Sequence, residues 1–168
     1  GNNLRESLLK VTSSELIHTI FIDDNESAKS YRDISLIYDK LLTYNCNRDS
    51  IIIGFGGGVV GDIAGFIAST YLRGIDLINI PTTLLSMIDS SIGGKNGINH
   101  IKGKNMIGTF YQPSYTFIDS NFLKSVPKRE IICGLGEAIK YAIILDCELF
   151  EFISNNLDDI ISLSNFTL

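Results

Sequence analysis

Tryptophan is missing from these 168 residues, cysteine and proline occur three times each, and histidine twice. Each scarcity excludes something. Cys46, Cys133 and Cys147 are odd in number and show no CxxC spacing, which rules out a disulfide framework or a thiolate knuckle and predicts buried free thiols in a reducing cytoplasm. His18, expected on a strand, and His100, expected in a loop, lie far apart and offer no paired metal-ligand spacing. With 14 Lys and Arg against 19 Asp and Glu, the net charge of -5 argues against nucleic acid as the main partner, because phosphate backbones are held by clustered bases. Asp62 or Lys140 interrupts the longest apolar stretches well before the roughly 18 residues of a membrane span, and no apolar leader follows the N-terminus.

What is present is the composition of a globular protein, 45% hydrophobic and 20% charged, without low-complexity tracts. The length suits one domain with the start of a second. A chain that opens at Gly1 and stops at Leu168, soon after an amphipathic helix, reads as a piece of a longer one.

Residues Asn3 to Lys10 predict a short helix, and the β-branched and aromatic run Leu16 to Ile22 a buried strand. Ile34, Leu36-Ile37 and Leu41-Leu42 recur at helical spacing, giving a helix from about Ser30 to Asn45. Ile51-Ile52-Ile53 is an all-apolar run typical of a parallel strand covered on both faces. A glycine turn follows, then a helix with Ala64, Gly65, Ala68 and Leu72 on one stripe, then a strand Leu77 to Ile80 stopped by Pro81. Strand, helix and strand in alternation imply a parallel sheet, so the fold class is α/β with a Rossmann-like domain over residues 1–124. From residue 125 to 168 the character becomes helical. Pro127 suits an early helix position, and Ile131, Leu135, Ala138-Ile139 and Ala142-Ile143 form a broad apolar face. A second helix spans about Glu148 to Leu163, and together these helices read as the beginning of an all-α domain.

Twelve of the 15 glycines lie between Gly54 and Gly108, so backbone that turns sharply or approaches a ligand is concentrated there. Gly56, Gly58 and Gly61 form GxGxxG directly after a strand and at the opening of a helix, where free N–H groups and the helix dipole suit a pyrophosphate. By itself the motif is also compatible with a tight turn and no ligand. The acid that a Rossmann unit places after its second strand is missing there, since Asp76 precedes the strand. Asp89 to Lys95 sets a carboxylate, two hydroxyls, two glycines and a lysine in seven residues, and Gly103-Lys104-Asn105 repeats the Gly-Lys theme. This is not a P-loop, because Asn96 stands where Ser or Thr must hold magnesium. The segment suits either an anion site or a solvated surface loop. Between Phe55 and Tyr115 three acids (Asp62, Asp76, Asp89) face four bases (Arg73, Lys95, Lys102, Lys104), a local balance that favours a small anionic ligand. Glu137, Lys140 and Tyr141 share one face of a helix, as an ion pair or as something more.

Taken in order, Gly56 to Asp62, Tyr71-Leu72-Arg73-Gly74, Pro81 to Leu85, Asp89 to Lys95, Gly103 to Gly108, Tyr111-Gln112-Pro113 and Gly134 to Lys140 resemble the dehydroquinate synthase family of sugar-phosphate cyclases, nearly collinearly from Asp24 to Asn156. That family oxidises a heptulosonate phosphate with bound NAD, eliminates phosphate, reduces the ketone again and closes the carbocycle by an aldol step. The resemblance implies NAD and a zinc or cobalt ion as cofactors, an anionic sugar phosphate as substrate, and a homodimer. It implies that Gly58, Val59, Val60, Gly61 and Asp62 contact the pyrophosphate and nicotinamide side. Asp24, Asn25, Glu26, Ser27, Ala28 and Lys29 would meet the adenosine, with Glu26 in place of the missing Rossmann acid. Thr82, Thr83, Lys95, Lys104, Phe122, Leu123, Lys124 and Ser125 complete the implied NAD site. Asp89, Lys95, Asn105 and Lys140 would hold substrate, Arg73 would reach a neighbouring subunit, and Glu137 would be one metal ligand. Asn25, Gly136 and Asn96 depart from the family's usual glycine, alanine and threonine, and its histidine ligands fall beyond Leu168. Other readings are another sugar-phosphate cyclase, a glycerol-dehydrogenase-like oxidoreductase, or a non-catalytic nucleotide-binding remnant.

Overall fold

The structure, a computed structural model, describes residues 2–10, 12, 13 and 16–163. Helix α1 (Asn2–Leu8) precedes an extended stretch, and helix α2 (Tyr31–Thr43) starts at Ser30, whose hydroxyl accepts the Asp33 N–H at 3.2 Å. Ile34, Ile37 and Leu41 turn its apolar face inward.

Strand β1 (Ile51–Gly56) leads through Gly57 into helix α3 (Gly58–Thr70), and strand β2 (Asp76–Pro81) returns parallel to β1, in register from Ile51 opposite Asp76 to Gly56 opposite Pro81. A short strand β5 (Tyr115–Thr116) extends the sheet in the order β1-β2-β5, all parallel. Strands β3 (Lys95–His100) and β4 (Gly103–Phe110) form a separate antiparallel hairpin. The hairpin lies against α3 so closely that a Cβ added at Gly65 would stand 1.8 Å from Asn96 Oδ1. Ile63, Ala64, Ile67 and Ala68 of α3 join Leu77, Ile98 and the α2 face in the main core.

Helix α4 (Lys128–Leu145) is followed by α5 (Cys147–Asn155) and α6 (Leu157–Ser162), which pack on it through Leu135, Ala142 and Ile153. Helix α4 meets the segment after β2 at Gly134, where an added Cβ would lie 2.6 Å from Leu84 Cβ and 2.7 Å from Leu85 N. No helix among the described residues is long and apolar enough to cross a membrane.

Several expectations are corrected. Leu16 to Ile22 is extended but is not a strand: Ile20 and Ile22 pack on the core while Phe21 is 89% exposed, and among the described residues no neighbouring strand supplies backbone partners. His18 therefore lies outside any strand, stacked on Tyr44 with ring centroids 4.0 Å apart, while His100 ends β3. Strand β1 is not covered on both faces, since Ile51 is exposed and Ile52 and Ile53 are half-buried. Leu72 leaves the buried stripe because the chain turns at φ 49 there. Ile143 faces outward, and the final helix is two, broken at Asn156. The cysteines are free, but Cys133 and Cys147 are exposed and Cys46 is half-buried, because the first two sit on the outer faces of α4 and α5.

Candidate active site

The glycine turn connects β1 to α3 with no side-chain cap, and Gly61 is the first residue whose N–H reaches a carbonyl of its own turn, Gly57 O at 3.1 Å. The preceding N–H groups of Gly58, Val59 and Val60 belong to the set a helix leaves unpaired at its start. Gly58 borders a small open cleft that is also lined by Gly56, Gly57, Asn79, Pro81, Ser90 and Ser91. In its wall Asn79 Oδ1 and Ser91 Oγ are buried and find no hydrogen-bond partner among the described residues, polar capacity that a bound molecule or water would use. Thr83 stands on one side, its Cγ2 3.2 Å from the Cβ position of Gly57, and its hydroxyl is 2.8 Å from Ser86 Oγ. Thr82 is tied to the same turn through its N–H to Gly56 O at 2.9 Å. The donor set fits a dinucleotide: unpaired amides for a pyrophosphate, and buried amide and hydroxyl oxygens for polar ring substituents.

The loop from Asp24 to Lys29 divides in two. Asn25 caps the 3-10 turn Glu26–Ala28 by accepting the Ser27 N–H at 3.0 Å, and Asp24, Asn25 and Ser27 are exposed. Ala28 and Lys29 point inward. Ala28 is part of the core, and Lys29, 2% exposed, sends its Nζ to Asp62 Oδ2 at 2.6 Å and to Asn105 Oδ1, with Glu26 Oε1 at 3.6 Å. Asn99 closes the circuit: its Nδ2 donates to Glu26 Oε1 at 2.9 Å, and its Oδ1 accepts the Asn105 N–H at 2.9 Å. Asn105 adopts φ 53 to complete it. Burial pushes the Asp62 carboxyl above the ordinary carboxylate range, with the Lys29 hydrogen bond and charge working against that rise. Asn99 belonged to no sequence motif, because its role depends on a hairpin folding across the loop.

A second group forms where α4 meets the π-helical turn Ser86–Ser90. Tyr141 Oη donates to Asp89 Oδ1 at 2.6 Å, Lys140 pairs with Glu137, and the Lys140 Nζ lies 4.4 Å from the Tyr141 ring centroid. Asp89, Glu137, Lys140 and Tyr141 are thereby gathered on one face. Lys95 and Lys104 are exposed on β3 and β4, and exposed Arg73 sits in the turn after α3 at φ 71. In the 3-10 turn Ser120–Ser125, Phe122 meets Phe55 edge-on at 5.4 Å, Leu123 is buried, and Lys124 and Ser125 are exposed, with Lys124 Nζ 2.7 Å from Asn121 Oδ1. Among the described residues no three His, Cys, Asp or Glu side chains come together as a metal site, so Glu137 is a single carboxylate and this stretch does not by itself build a metal centre.

Parallel strands joined through a glycine turn, with helices leading away, define a Rossmann-like nucleotide-binding unit followed by helices that carry acid and base to its edge. The model of the 3-dehydroquinate synthase N-terminal domain matches residues 19–133. The chain belongs to the 3-dehydroquinate synthase family. It is 53% identical over 151 residues to the 3-dehydroquinate synthase of Prochlorococcus marinus (strain MIT 9312), a match covering 89% of this chain and 42% of that protein. Among solved structures it is similar to a 2-epi-5-epi-valiolone synthase from Streptomyces hygroscopicus subsp. jinggangensis 5008 with NAD+ and Zn2+ bound. That match has a TM-score of 0.83 and 36% identity, over 86% of this chain and 41% of that one. A 2-deoxy-scyllo-inosose synthase complexed with carbaglucose-6-phosphate, NAD+ and Co2+ follows, with a TM-score of 0.80 and 30% identity over 86% and 38%. The chain thus spans less than half the length of the curated relatives it matches.

Proposed function

We propose that this chain supplies the NAD-binding part and the first catalytic helices of a 3-dehydroquinate synthase, which converts 3-deoxy-D-arabino-heptulosonate 7-phosphate to 3-dehydroquinate and phosphate in aromatic amino acid biosynthesis. The observation that carries this reading is the meeting of α4 with the segment that walls the glycine cleft. Gly134 seats the helix on Leu84, and Tyr141 reaches Asp89, next to Ser90 and Ser91 of the cleft wall, which brings Glu137 and Lys140 to the same turn. The domain division near residue 124, the homodimer and a cytoplasmic setting belong to the same proposal.

NAD, when bound, takes up a hydride and returns it within one turnover. The N–H groups at the start of α3 hold its pyrophosphate, and Thr82, Thr83 and the Phe122 turn border the rest. Glu26 accepts the ribose hydroxyls and repels a 2′-phosphate, which selects NAD over NADP. Of the loop residues, Asp24, Asn25 and Ser27 face the cofactor, while Ala28 and Lys29 act from beneath. Lys104 completes the NAD side, Lys95 and Lys140 neutralise the substrate's phosphate and carboxylate, Asp89 and Asn105 orient its hydroxyls, and Arg73 reaches a partner subunit. Glu137 offers one carboxylate to a divalent ion of the kind found in the two cyclases above.

The roughly 50% identity to 3-dehydroquinate synthases, against 36% and 30% for the other cyclases, favours the heptulosonate phosphate over their substrates. The test is turnover of the complete protein on the heptulosonate phosphate and on the sugar phosphates of the other cyclases, followed by phosphate release. Preference for another sugar phosphate overturns the substrate assignment, and tighter NADP than NAD binding in calorimetry overturns the role of Glu26.

A further inference from the structure

Of the three polar residues that α4 presents together, Glu137 and Lys140 have proposed tasks and Tyr141 has none. Its hydroxyl bridges 52 positions of sequence to Asp89 Oδ1 at 2.6 Å. Among the described residues no other side chain donates to Asp89. The Lys140 ammonium lies over the phenol ring, 4.4 Å from its centroid. Asp89 sits in a π-helical turn that ends in Ser91, with Asp89 O accepting the Ile92 N–H at 2.9 Å, so its backbone is fixed and its carboxylate is the part left to be aimed. The hydrogen bond to Asp89 raises the Tyr141 pKa, which keeps the hydroxyl a donor.

We propose that Tyr141 is a positioning residue for Asp89: its hydroxyl occupies one carboxylate oxygen and turns the other toward the substrate's hydroxyl groups. This rests on the reading of Asp89 as a substrate-binding group. A hydrogen bond to a charged group that orients a substrate contact is worth roughly a tenfold factor, and an interaction used equally in ground and transition states appears in KM. A mere tether between α4 and the turn would instead lower the urea midpoint of Tyr141→Phe and leave its KM nearly unchanged.

The experiment is a double-variant cycle in the complete NAD- and zinc-loaded protein, with Tyr141→Phe, Asp89→Ala and the two combined. Tyr141→Phe is expected to lower kcat/KM about tenfold, the loss carried by KM, with NAD affinity and urea midpoint unchanged. In the Asp89→Ala background the same change is expected to cost less than about twofold. Calorimetric affinity for 3-dehydroquinate across the four proteins repeats the cycle without needing turnover. Full activity in Tyr141→Phe, or equal losses in both backgrounds, overturns the positioning role while the proposed reaction stands. A wild-type protein that neither turns over the heptulosonate phosphate nor binds dehydroquinate overturns both.

Discussion

Lys29 Nζ lies 2.6 Å from Asp62 Oδ2, joining the loop before α2 to α3 just past its first turn, in a place where the lysine side chain is 3% exposed. A buried pair broken on one side leaves a charge without compensation, at a cost of about 3 kcal/mol or more. Lys29→Met is therefore expected to lower the urea midpoint sharply. The pH dependence has a defined sign. Asp62 is already raised by burial, and removing Lys29 takes away the two influences that lower it, so its folded pKa rises further above the unfolded value. The variant should be most stable in acid and lose stability as pH climbs from the ordinary carboxylate range through that raised value. Denaturation curves across this window check it; a pH dependence equal to wild type would refute the role given to the pair.

Gly65→Ala should destabilise by about 1–3 kcal/mol, the usual cost of overpacking, because the new methyl overlaps the Asn96 side chain. Adding Asn96→Ala removes the overlapped atoms and should recover part of the loss. The recovery will be incomplete, since Asn96 Nδ2 also donates to Gly94 O at 2.9 Å and Tyr111 O at 3.0 Å. Thermal unfolding of the two single variants and the pair measures this, and purely additive losses would contradict the geometry.

At Gly58 a Cβ would sit 3.2 Å from Ser90 Oγ, on the wall of the cleft. Gly58→Val is expected to abolish NAD binding by calorimetry while far-ultraviolet circular dichroism stays nearly unchanged. Retained affinity would remove the glycine turn from the cofactor site.

Tyr71 donates to Cys46 O at 2.9 Å from within the core, and burial pushes its phenol above the ordinary value of 10.0. A raised folded pKa means that the stability it contributes is intact below the unfolded value and is lost as pH rises through the folded one. Tyr71→Phe should flatten the decline in stability above about pH 10, read from denaturation curves in alkaline buffers.

Glu137→Gln in the complete protein should preserve the fold and lose bound zinc and turnover together, because a neutral amide is a poor zinc ligand. Metal analysis of the purified variant decides it, and a normal zinc content would leave Glu137 as no more than the partner of Lys140.

How much of this was legible beforehand follows a physical line. The order β1, α3, β2 could be read because apolar runs, glycine and Pro81 are local signals, and the helical spacing of Ile34, Ile37 and Leu41 announced α2 in the same way. The segment Leu16 to Ile22 was misread because its composition suits a strand while strand formation depends on a neighbour's backbone, which composition does not report. Glu137 and Lys140 were visible as helix neighbours. The bond from Tyr141 to Asp89 and the clasp of Lys29 by Asp62 and Asn105 were not, since each joins residues far apart in sequence. Asn79 and Asn99 carried no signal at all: a lone asparagine in a strand has a meaning only after its neighbours are in place.

The missing side chain at Gly65 has a mechanical consequence. With the Asn96 side chain of β3 resting on the backbone of α3 at Gly65, the helix that opens at the cleft and the strand that begins at Lys95 are held at a spacing set by one amide group. Helix α4 meets the segment after β2 at Leu84 and again through the Tyr141 hydroxyl, one apolar seat and one polar latch that fix how far the helix stands from that turn.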